Sequence, residues 1–317
     1  MIHASRFREA LALFLEWCES SVELTPDAQL LAAQAALHIG EFGLAGTLAA
    51  EAQPQLRARG DEDGVLDCAN LLGAVAFERG NVDEAEAQFK SVMQSAEGKG
   101  RSRFTARSAN NLAVIAHMRG EREYAAALYQ KALTAYHQIG DERGIIETWH
   151  NLVLSNREGR GSQDSFVTCA RALEAAERLG AGGLIALTLL GRAELLIERN
   201  ALDEAAADID RARQLAWLEG NEPHALDSER LQALLALRRG EPRRAHHQAE
   251  QIMVRARSSG CAWIAAESAT IAALALKADQ RPSEAAIAND LAVAALVARG
   301  APSRLESHAR AWRDTAA

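Results

Sequence analysis

The chain has 317 residues, of which 48% are hydrophobic and 25% charged, a composition that is globular and excludes a disordered chain. Aromatic content of only 5%, with alanine abundant throughout, points to closely packed helices rather than sheets. A net charge of −8 without any block of Lys and Arg argues against a nucleic-acid partner, and no run approaches the ~18 uncharged apolar residues of a membrane span.

Length alone suggests two domains. The N-terminal MIHASRFREALALFLEWCES is amphipathic and broken by charge, so it is expected to be neither a signal peptide nor a membrane anchor. Cys18, Cys68, Cys169 and Cys261 lie far apart and form no C-x-x-C pair. They are expected to be thiols filling helical cores in the cytoplasm.

Taken in order, the chain begins with one amphipathic helix over 1–20 and then repeats itself every 40 residues. Gly60, Gly100, Gly140, Gly180, Gly220, Gly260 and Gly300 share one phase. Gly40, Gly80, Gly120, Asn200 and Gly240 share the phase midway between, where Arg160 and Asp279-Gln280 depart from the pattern. Gly and Asn enter the left-handed conformation past a helix end at little cost. First-turn signals follow these turns: Asp83-Glu84, Asp203-Glu204, Pro242 and Pro282. Each repeat thus reads as a hairpin of two helices, A and B, of roughly 17 residues. Repeats over 21–60, 61–100, 101–140, 141–180, 181–220, 221–260 and 261–300 are followed by a capping helix over 301–317. The helix over 1–20 reads as the opposite cap or as part of a longer parent protein.

Side-chain size fixes the register. One B-helix position reads Ala45, Ala85, Ala125, Ser165, Ala205, Ala245 and Ala285, and one A-helix position reads Ala33, Gly73, Ala113, Val153, Ala193, Ala233 and Ala273. Small residues there let the two helices approach, while Leu72, Leu112, Leu152, Phe89 and Tyr129 fill the gaps beside them. No hairpin can bury its apolar face alone, so neighbours must stack into a single solenoid rather than two domains.

These residues resemble the tetratricopeptide repeats. Leu72-Gly73 with Ala85, Phe89 and Val92 fits that pattern, as do Leu112-Ala113 with Ala125, Tyr129 and Ala132, and Trp149, Leu152 and Val153 followed by Cys169 and Ala172. The 40-residue period and KALTAYHQIGDERG look like the longer-helix subgroup of LGN-type adaptors, kinesin light chains and the sensor regions of bacterial regulators. The resemblance implies an all-α, right-handed superhelical solenoid whose A helices line a concave groove.

No catalytic motif is present: there is no phosphate-cradling glycine loop, H-E-x-x-H or Gly-x-Ser-x-Gly, so no enzyme, cofactor or metal site is expected. His246 and His247 point apart on a helix, and at most one can meet Glu250. Asn70, Asn110 and His150 share one A-helix position, and Asn111 and Asn151 the next. In proteins of the resembled family such asparagines grip an extended peptide, since an amide offers both a donor and an acceptor. The same register adds Arg107, Val114, His117, Met118, Leu154 and Arg157. The alternative is that the asparagines satisfy turn carbonyls or cap neighbouring helices. Further on, Leu187, Leu190, Ile197, Leu234 and Leu237, with Glu194, Glu198, Arg230 and Arg238, suggest a groove for a partner helix or packing against the next hairpin. The functional expectation is an adaptor that binds a protein or peptide, with a peptide- or small-ligand-sensing module of a bacterial regulator as the alternative.

Overall fold

The computed structural model describes residues 5–19, 25–156 and 162–315. Among them every regular element is a helix. In chain order these are α1 (Ser5–Glu19), α2 (Pro26–Ile39), α3 (Phe42–Ala58), α4 (Glu62–Glu78), α5 (Val82–Ala96), α6 (Ser102–Met118), α7 (Arg122–Ile139) and α8 (Glu142–Asn156). They continue with α9 (Ser162–Arg178), α10 (Gly182–Glu198), α11 (Leu202–Glu219), α12 (Glu222–Arg238), α13 (Pro242–Ser258), α14 (Ala262–Ala278), α15 (Pro282–Val297) and α16 (Pro302–Asp314). Pro242 and Pro282 each open a helix, where a missing N–H costs nothing.

The segment HQIGDERG shows how the chain turns. Gly140 takes the left-handed conformation (φ 68°), and the N–H groups of Gly140 and Asp141 donate to the carbonyls of His137 and Tyr136. Asp141 then caps the next helix, its Oδ1 accepting from the Gly144 amide at 3.0 Å. Gly144 has a packing role, because a Cβ there would lie 2.1 Å from the Tyr136 ring. Where the glycine phase lapses, Asn200 (φ 61°) and Gln280 (φ 57°) adopt the same left-handed state.

Each even-numbered helix packs against the odd-numbered one that follows it, and even helices also touch one another along an inner row. The small-residue register is buried as expected, with Ala33, Ala45, Ala85, Ala113, Ala125, Ala193, Ala205, Ala233, Ala245 and Ala273 fully enclosed. Gly73 is required by Phe89, whose ring would lie 2.7 Å from an added Cβ. Cys68, Cys169 and Cys261 are buried free thiols; the Cys18 side chain lies outside the described residues.

The inner row coils tightly enough for successive turns to touch. The Trp263 indole N–H of α14 donates to the Phe77 carbonyl at the end of α4 (2.9 Å), and its ring stacks on Phe77. The Ser303 hydroxyl of α16 donates to the Met118 carbonyl at the end of α6 (3.0 Å). Gly40, closing α2, lies so near Pro223 of α12 that a Cβ would meet it at 2.7 Å. Each contact joins an inner helix to the one five hairpins later. Ser303 supplies a donor to a carbonyl at a helix end, whereas the Phe77 carbonyl accepts from Trp263 in addition to the Gly80 N–H (2.8 Å). At the start, α1 folds back on α11, where Arg8 donates to the Gly220 carbonyl.

Candidate functional site: the lumen of the superhelix

The asparagines expected to line the groove pair with each other from one inner helix to the next. Asn111 donates to Asn70 across 3.5 Å, and Asn151 donates to Asn110 across 3.2 Å. Asn110 is buried and the other three are half-buried. Arg107 reaches back to Asp67 (3.0 Å), as does Arg103 (2.9 Å); burial of Asp67 nevertheless pushes its carboxyl above the usual range. The His117 imidazole meets the Ser155 hydroxyl at 3.1 Å. His150 is 8% exposed and bonds no described residue; its ring lies against Gly191, and burial lowers its pKa to about 4. Arg157 lies outside the described residues.

Where the first and second turns meet, a recess of about 240 Å³ opens into the lumen. Glu78 of α4, Glu147 and Arg143 of α8, Leu187 of α10 and His224 of α12 face it. Phe7, stacked on His38 at 4.4 Å between ring centres, covers its edge together with Phe42. Burial, reinforced by the nearby Asp227 charge, raises Glu78 to about 7, and burial also raises Glu147. His38 and His224 fall to about 4 for the same reason, so both imidazoles are neutral at pH 7. Glu78 bonds no described residue, and Glu147 meets Arg143 only at 3.9 Å.

Further along, the lumen is built around Arg230. Its guanidinium, 7% exposed, contacts Glu194 (2.5 Å), Asp227 (2.6 Å) and Glu267 (3.2 Å), and Arg304 joins Glu267 from α16 (3.2 Å). These carboxylates hold Arg230 firmly protonated. Leu190 and Ile197 are buried in the core between α8, α10 and α12, so the apolar groove expected there is narrower than the sequence suggested. Met118 is likewise buried rather than presented to the lumen. His246 pairs with Glu250 (3.6 Å) and His247 with Gln251, as their divergence on the helix requires. Among the described residues no group of His, Cys, Asp and Glu has the makings of a metal site, and no helix is long and apolar enough to cross a membrane.

Sequence reasoning missed Glu78, His38, His224 and Asp227. The signal was present for three of them: Asp227 occupies the repeat position of Arg107, Glu147, Leu187 and Glu267, while His38 and Glu78 share the position of Met118 and Arg238.

These features define a helical-repeat solenoid with a polar lumen. The family description "Tetratricopeptide repeat" matches residues 65–138, and that stretch of the chain carries tetratricopeptide repeats. No protein of curated function matches the sequence. Among solved structures, the chain is similar to a Rap protein complexed with competence and sporulation factor, at 15% identity and a TM-score of 0.61, over 98% of this chain and 92% of that one. It is also similar to a signal transduction ATPase with numerous domains from Pyrococcus horikoshii that has a tetratricopeptide repeat sensor, at 14% identity and a TM-score of 0.53. That likeness covers 96% of this chain and 52% of the other, so the chain spans about half its length. At these identities the likeness is one of fold.

Proposed function

We propose that the chain is a protein-interaction module that holds an extended peptide segment of its partner along the inner face of the superhelix. The asparagine rows carry this reading. Asn70 and Asn110 each spend their carbonyl on a neighbour, and Asn111 and Asn151 each spend their amide N–H. Donors therefore remain on the first pair and acceptors on the second, matching the alternating N–H and C=O groups of a peptide. The fold likeness to a Rap protein captured with its competence and sporulation factor supports the same reading.

The test is affinity selection of a random hexapeptide library on the full chain. A variant with Asn70, Asn110, Asn111 and Asn151 all changed to Ala serves as the comparison, checked for helicity and monodispersity. Peptides enriched on the wild type and lost on the variant are expected. Equal enrichment on both would contradict a peptide site on these rows.

A sensing role is favoured by one further observation. The turns are joined by few polar contacts, among them Trp263 to Phe77 and Ser303 to Met118, so a ligand spanning the seam would bias the pitch of the whole coil. A change in the radius of gyration by X-ray scattering on addition of an enriched peptide is the expected sign; an unchanged radius would leave the module a static adaptor.

A further inference from the structure

We propose that the recess at the seam between turns is a cation subsite, in which Glu78 and Glu147 receive a guanidinium or ammonium group of a bound peptide and His224 acts as a further acceptor. The inference rests on the lumen-binding reading and adds the chemistry of the ligand. What sets this recess apart is a consistent shortage of donors. Glu78 bonds no described residue, and Glu147 meets Arg143 only at 3.9 Å. His224 faces the recess, and its buried Nδ1 has no partner among the described residues. With its imidazole neutral at pH 7, His224 has a ring nitrogen that can accept. The stacked Phe7 and His38 rings beside Phe42 add apolar and aromatic faces of the kind a flat cation covers. Carboxyls raised by burial and by a like charge are those that an arriving cation returns to the ionised form. A group with several donors and one positive charge satisfies all of these at once.

The closing experiment retains three hexapeptide libraries on the full chain: N-acetylated with a fixed central Arg, N-acetylated with citrulline there, and citrulline with a free amino terminus. Arginine and citrulline share length and shape and differ in charge. About tenfold greater retention of the acetylated Arg library over its citrulline counterpart is expected, and it should vanish in Glu78→Gln/Glu147→Gln. Equal gain from the free amino terminus would identify a terminal ammonium as the source instead of a side chain. Arg143→Ala, which removes the competing cation, should strengthen retention. It keeps the test decisive if the double variant melts.

Equal retention of Arg and acetylated citrulline peptides, or a preference surviving in the double variant, would overturn the subsite while leaving the lumen reading intact. Failure of the wild type to retain any library would overturn both.

Discussion

Two acidic stretches of the lumen treat their charge differently. Around Arg230, a single buried guanidinium is shared by Glu194, Asp227 and Glu267, and Arg304 joins the last of these. Around Glu78, carboxylates and imidazoles gather, and Arg143 is the one Arg or Lys among the described residues that line the recess. The first stretch is closed: its acceptors are matched within the fold, as a structural network requires. The second is open, and open acceptors in a sheltered space are what a ligand can complete.

The largest effect should come from opening the closed stretch. Arg230→Met would leave three carboxylates together without their cation, and should cost about 3–5 kcal/mol in urea unfolding. A loss below about 1 kcal/mol would mean that lumen water already solvates these acids, and the contrast would fail.

Next is the seam itself. Trp263→Ala removes a stacked ring and the donor to the Phe77 carbonyl. It should cost about 3 kcal/mol and enlarge the radius of gyration by X-ray scattering. A stable, equally compact variant would show that the turns stay together without it.

The open stretch should respond with the opposite sign. A carboxyl raised in the folded state binds its proton more tightly there than when unfolded, so its cost is absent below the unfolded value near 4.5. That cost grows as pH rises and is fully present above about 7. Glu78→Gln should therefore stabilise the protein by about 2 kcal/mol at pH 8 and hardly at all at pH 4, read by melting at both. Stabilisation that does not depend on pH would place the gain in packing instead.

The smallest effect sharpens the asparagine rows. Asn110→Ala deletes the bond from Asn151 and should cost about 1 kcal/mol in urea unfolding. A much larger loss would make the rows structural rather than receptive.

The hairpins were legible in the sequence because their causes are local. A left-handed residue ends a helix and a cap or proline starts the next, so Gly140 with Asp141 suffices to read one boundary. The alanine register was legible because close approach tolerates only small side chains. The closing of the coil was not, since it sums small rotations over five hairpins and leaves little local trace. Its one visible mark was Trp263, at a position held elsewhere by Asp63, Arg103, Arg143, Gly183 and Pro223. The lumen site was half legible for the same reason. The asparagines follow from the repeat, whereas Glu78, His38 and His224 come together only once the coil has closed.

The most direct measurement is photo-crosslinking of an enriched hexapeptide carrying a diazirine side chain, with adducts located by mass spectrometry. The account predicts adducts on the inner helices α4, α6, α8 and α12, near Asn70, Asn110, Asn151 and His224. Adducts confined to the outer odd-numbered helices would contradict it.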